Sequence, residues 1–90
     1  MTISSHRPPT HPGEILLEEF LKPKKVTQVE LAAKMGIPLN RLNELIRGKR
    51  GMTADTALRL AKVLKTTPEF WMNLQMACDL YEAKRAMAVA

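Results

Sequence analysis

The sequence predicts an all-α domain of five helices with short connections, and three observations carry that prediction. Apolar residues recur at three- and four-residue spacing in successive stretches of the chain. Thr or Pro stands at the head of each stretch, and Gly or Pro closes three of them. No run alternates apolar and polar residues as a half-buried strand would, and no segment repeats or is of low complexity. Ninety residues suffice for one domain with a modest core, without metals or disulfides to staple it.

Residues 1–10 carry Ser, Thr and Pro with almost no apolar content, which predicts a mobile tail ahead of a domain over 11–90. The text HPGEILLEEFLKP predicts the first helix. Pro12 is tolerated in its first turn, Glu14 suits its positive end, Pro23 stops it, and Leu16, Leu17, Phe20 and Leu21 share a face. Thr27 caps the second, Gln28 to Met35, with Leu31, Ala32 and Met35 inward and Gly36 as a left-handed terminator. Pro38 restarts the chain as a third helix that Gly48 ends. Leu42, Leu45 and Ile46 form its buried stripe, leaving Leu39, Asn40, Asn43, Glu44 and Arg47 on or near the opposite side. Thr53 caps the fourth, where Asp55 favours the N-terminal dipole and Ala57, Leu58, Leu60, Ala61 and Leu64 supply the apolar positions up to Lys65. Thr67 and Pro68 open the fifth. Its Phe70, Trp71, Met72, Leu74, Met76, Ala77, Cys78, Leu80 and Tyr81 exceed one stripe, so a second face of this helix is expected to be covered.

The net charge of +5 is unevenly spread. From Lys22 to Lys65 the chain has eleven basic and three acidic residues; the remainder has three basic and six acidic. Such a positive middle favours a polyanion, because neutralising phosphates releases condensed counterions. The lone Cys78 cannot form an intramolecular disulfide, no N-terminal stretch has the pattern of a secretory signal, and no apolar run approaches the roughly 20 residues a membrane helix needs. A soluble protein of the reducing cytoplasm is expected.

Charge gains meaning from TQVELAAKMGIPLNRLNELIRGKR, Thr27 to Arg50. A helix, a glycine turn and a second helix followed by a basic loop have the spacing of a helix-turn-helix, in which the second helix lies in the major groove with its first residues at the base edges. Ala32 is small where the helices approach, Gly36 reaches positive φ without steric cost, and Ile37, Leu42 and Leu45 anchor the reader. Asn40 and Asn43 can bond an adenine edge. Arg41 can pair with guanine or a phosphate, Glu44 can accept from cytosine, and Pro38 and Leu39 can touch a thymine methyl. Thr27 and Gln28, at the start of the preceding helix, and Arg47, Lys49 and Arg50 after the reader are the phosphate set. A plain helical hairpin with a polar outside also fits a bare helix, Gly, helix pattern; the basic loop GKRG and the hydrogen-bonding residues gathered at the reader's outer start favour DNA.

The same segment resembles the XRE-type helix-turn-helix shared with phage repressors and Cro proteins, a lambda-repressor-like fold. HPGEILLEEFL before it and GKRGMTADTALRLAKVLKTTPEFWMNLQMACDLYEAK after it are similar to the HigA group of bacterial antitoxins. The resemblance spans His11 to about Arg85, with HPGE and TPEFWMNLQ as its most specific strings. It implies a five-helix antitoxin that binds operator DNA, represses its own operon and pairs with a HigB-type mRNA-cleaving toxin. It also implies that Gln28 clamps a phosphate and that Leu39, Asn40, Asn43 and Glu44 face bases. Pro38 departs from the Ser or Thr common at that point, leaving it an apolar contact at most. Members dimerise, and the doubly apolar fifth helix is an independent reason to expect a dimer; Trp71, Met72, Met76 and Leu80 are its interface candidates, whereas Phe70, Leu74 and Cys78 fit an ordinary core. A two-fold dimer sets two readers about 34 Å apart and so implies a palindromic operator.

His6, His11, Cys78 and scattered carboxylates show no metal-ligand spacing, and Glu18 and Glu19 diverge by about 100° on a helix, poor placement for paired acid and base work. Neither metal, cofactor nor catalysis is expected. Two other readings remain: a stand-alone XRE-type regulator without a toxin, and a protein-interaction adaptor whose basic loop is incidental.

Overall fold

Five helices, with no strand among the described residues, make up the computed structural model, which describes residues 8–88. Most of the tail expected over 1–10 lies outside that range. At its end, the Pro9 and Thr10 carbonyls face Cys78 Sγ at 3.8 and 3.6 Å.

Helix α1 runs over 12–24 as three continuous stretches, α-helical Pro12–Ile15, a π-helical Leu16–Leu21 and α-helical Lys22–Lys24. His11 caps it, its Nδ1 accepting from the Gly13 N–H at 2.9 Å. Pro23 does not stop it. In a regular turn the proline ring would meet the carbonyl four residues back, and the π turn just ahead of Pro23, where the Lys22 N–H reaches back to Leu17, widens the helix there. The chain leaves two residues later, at Lys25, whose φ of 55° is left-handed.

Helix α2 is Gln28–Met35, α3 is Leu39–Ile46, α4 is Ala54–Leu64 and α5 is Pro68–Ala88. Helix α1 packs on α3 and α5, α2 on α3 and α4, and α4 on α5. Leu16, Leu31, Leu42, Leu45, Leu60 and Trp71 are fully buried at the centre. Burial of side chains this size contributes roughly 1.5–3 kcal/mol apiece. Gly13 is where α1 and α3 touch backbone to backbone: a Cβ there would land on the Leu45 carbonyl. Leu58, expected inward, is 60% exposed, because Ala57 and Leu60 define the inner face of α4 and Leu58 is turned about 100° from Ala57.

Helix α5 is capped by Thr67, whose Oγ1 accepts from the Phe70 N–H at 3.1 Å. Its first half holds the core. Trp71 is corrected from interface to interior: it is completely buried, its Nε1 donates to Thr66 Oγ1 at 2.8 Å, and its ring meets Phe20 at a tilt and Phe70 edge-on. Phe70, expected in the core, is at the edge of that cluster and 40% exposed, while Met72 and Leu74 are half-buried against it. Cys78 is half-buried too, and burial, ahead of the nearby Asp79 and Glu82, raises its thiol pKa. Met76 and Leu80, one turn apart, are more than half exposed. Among the described residues no helix is long and apolar enough to cross a membrane.

Candidate nucleic-acid interface

The starts of α2 and α3 meet on one surface, and local sequence explains why each helix begins there. Thr27 and Glu30 form a reciprocal cap, Glu30 N–H to Thr27 Oγ1 at 3.1 Å and Thr27 N–H to Glu30 Oε1 at 2.9 Å. The bond from the Thr27 backbone, then that from its hydroxyl, holds the Glu30 carboxyl below its usual range. The first-turn N–H groups of Gln28 and Val29 have no acceptor within the helix, which leaves its positive end open to an anion. Helix α2 ends in a Schellman closure: Gly36 has φ 72°, its N–H reaches the Ala33 carbonyl and that of Ile37 reaches Ala32. Arg59 staples this turn from α4, Nη1 donating to the Met35 carbonyl at 2.7 Å.

Pro38 is the N-cap of α3, with extended backbone and no capping side chain, and it is exposed. Leu42 and Leu45 are buried beneath, so Asn40 is exposed and Leu39 is 45% exposed above. Asn43 is half-buried and joins the two helices, its Nδ2 donating to Gln28 Oε1 at 3.2 Å. Gln28, Val29, Leu39, Asn40 and Asn43 line an open depression of about 670 Å³. Thr27, Arg47, Lys49 and Arg50 are exposed around the helix ends, although the Thr27 oxygen is committed to its cap.

Three expected contacts need revision. Arg41 is folded back from the outer face: its Nη2 donates to Asp55 Oδ2 at 2.8 Å and to the buried Thr56 Oγ1 at 2.7 Å, because the start of α4 offers two acceptors within its reach. In this position it braces α3 against α4. Glu44 and Arg50, expected at a cytosine edge and a phosphate, hold each other through Arg50 Nε and Nη2 at 3.1 and 2.8 Å. Both are close to half exposed, and such a surface pair is worth roughly 0–1 kcal/mol, little enough for a phosphate to displace the carboxylate.

Sequence reasoning missed three groups. Val29, 62% exposed on α2, lies at the rim of the depression; an isolated apolar residue on a polar face carried no signal. Asp55 takes both Arg41 and Arg59, and Gln75 Oε1 accepts from the Met52 N–H at 2.7 Å, tying the basic loop to α5. These bonds span 4 to 23 residues, and only the shortest, Asp55 to Arg59, has a local spacing rule.

The bonds from Arg41, then from Arg59, hold the Asp55 carboxyl below its ordinary 3.8. A carboxyl depressed on folding contributes stability that is complete above the unfolded value and is lost as pH falls through the folded one. Thermal melting should therefore weaken below about pH 4, and Asp55→Asn should flatten that acid limb while lowering the melting temperature at neutral pH. An unchanged acid limb would remove the Arg41–Asp55–Arg59 bridge from the account.

A short first helix, a glycine turn and a second helix presenting amides outward define the helix-turn-helix proteins, whose second helix is built to enter a major groove. The helix-turn-helix family (HTH_3) matches residues 17–71. Antitoxin HigA-1 of Vibrio cholerae is 44% identical over 78 residues, 87% of this chain and 73% of that protein. An uncharacterized HTH-type transcriptional regulator of Escherichia coli K12, YbaQ, is 46% identical over 81 residues, 90% of this chain and 72% of its own. Among solved structures, antitoxin GraA in complex with its operator superposes with a TM-score of 0.82 at 45% identity, covering 94% of this chain and 85% of that one. The chain belongs to the XRE-type helix-turn-helix family, in its HigA antitoxin group.

Proposed function

We propose that this protein is an antitoxin of the cytoplasm that binds operator DNA as a dimer, represses its own operon and neutralises a HigB-type mRNA-cleaving toxin. The observation that carries the DNA reading is the outward presentation of Leu39 and Asn40 at the start of α3, beside Gln28 and the positive end of α2. The GraA structure with its operator, on the same fold at 45% identity, supports it. In this reading Asn40 and Asn43 contact base edges, with Pro38 and Leu39 beside them. Thr27, Gln28, Arg47 and Lys49 hold phosphates, and Arg50 joins them when Glu44 releases it. Met76 and Leu80, flanked by Met72, form the apolar stripe of the dimer. A two-fold pairing through α5 would set the two readers on successive turns of a palindrome.

Asn40→Ala should weaken operator binding by roughly 1–3 kcal/mol and leave non-specific affinity unchanged, as titrations against operator and shuffled duplexes will read. Equal loss on both would take Asn40 out of base reading. Lys49→Ala should weaken binding to every sequence and flatten the salt dependence of log K by about one unit. An unaltered slope would exclude Lys49 from the phosphate set.

The likeness to YbaQ favours one other reading, a regulator without a toxin. Both share the reader, so the neighbouring gene decides. Co-expression with the adjacent product should give a stable complex in which RNA cleavage is abolished; an adjacent product that neither binds the chain nor cleaves RNA favours the stand-alone regulator.

A further inference from the structure

The depression between α2 and α3 has an apolar rim that base hydrogen bonding does not use. Val29, on the first turn of α2, and Leu39, the first residue of α3, belong to different helices, yet both line it and both stay substantially exposed, 62% and 45%. The surrounding side chains are three amides, Gln28, Asn40 and Asn43, and none is charged. Exposed Lys49 and Arg47 follow the reader within the same basic stretch, which makes a polyanion the complementary occupant. In the major groove the apolar feature a base pair presents is the C5-methyl of thymine, and an adjoining amide suits the adenine edge. We infer that Val29 and Leu39 together form a thymine-methyl subsite, so that each operator half-site holds one thymine whose methyl group lies between α2 and α3. This rests on the DNA-reading function proposed above and adds Val29, a residue of the non-reading helix, to its specificity determinants.

Such a subsite has a defined signature. Replacing that thymine by deoxyuridine deletes only the methyl group and should weaken binding about fourfold, the factor that burying one methyl-sized group corresponds to. Val29→Ala should weaken binding to the thymine operator by a similar factor and make the deoxyuridine replacement nearly neutral, since the two changes remove the same contact. The variant should fold normally: Val29 is exposed, and Ala is a better helix former than Val.

The experiment is a double-mutant cycle. The operator is first selected from random duplexes with the full chain. Each half-site thymine is then replaced in turn by deoxyuridine, and dissociation constants are measured at fixed salt for wild type, Val29→Ala and Leu39→Ala, with a thermal melt of each. One thymine whose methyl effect disappears in both variants supports the subsite. Deoxyuridine replacement that is neutral everywhere in wild type overturns it, as does a methyl effect that persists undiminished in both variants. Loss in Val29→Ala that is equal on thymine and deoxyuridine sites also overturns it, placing the pair against deoxyribose. Failure to select any preferred duplex would instead refute the DNA-reading function itself and the subsite with it.

Discussion

Gly13→Ala is expected to destabilise the protein by about 3 kcal/mol or more, at or beyond the upper end of ordinary overpacking. The added carbon would meet the carbonyl group of Leu45 and the Cα of Ile46, and these are backbone atoms that no rotamer change can move aside. Helix α1 would have to lift from the last turn of α3, uncovering the fully buried Leu16 and Leu45. For a domain of this size that is a fall of roughly 12–24 °C in melting temperature. A variant melting within a few degrees of wild type would show that α1 does not seat on α3 as described. The consequence reaches the proposed function, because α1 covers the inner side of α3, whose outer side is the face proposed to meet DNA.

Trp71→Ala should cost roughly 3–5 kcal/mol, the range for deleting a buried aromatic side chain. It removes the ring that joins Phe20 of α1 to Phe70 of α5, at centroid distances of 5.2 and 4.9 Å, and leaves the half-buried Thr66 hydroxyl without its indole donor. The melting temperature should drop by roughly 12–40 °C. Sedimentation at a temperature where the variant is still folded should show little change in self-association. Replacing Met76 and Leu80 by Ala should give the reverse pattern, because these side chains are exposed. A Trp71→Ala protein of near wild-type stability that sediments as a monomer would return the indole to the interface.

These two residues mark how far the sequence could be read. Thr27, Thr53 and Thr67 cap helices where their side chains said they would, and Gly36 takes the left-handed turn its lack of a Cβ permits. The inward positions of α2 and α3 followed from helical spacing alone, since each has one apolar stripe and one core to face. Helix α5 has apolar residues on several faces, so periodicity could not choose between Trp71 and Met76 for the interior; Phe20, 51 residues earlier, makes that choice by packing on the indole. Arg41 was misjudged for a related reason. Its position on the reader pointed to DNA, but the acceptors that claim it belong to α4, 14 and 15 residues away. The left-handed Lys25 and Lys65 were equally hidden, because lysine carries no signal for that conformation.

The claim beneath all of this is that the amide-bearing outer face of α3 enters the major groove. Dimethyl sulfate interference on the native promoter tests it directly, because the reagent methylates guanine N7 in the major groove and adenine N3 in the minor groove. The account predicts that N7 methylation blocks binding in two clusters about 10 base pairs apart on one face of the duplex, related by a dyad. Half-site guanines whose N7 methylation leaves binding unaffected would contradict it.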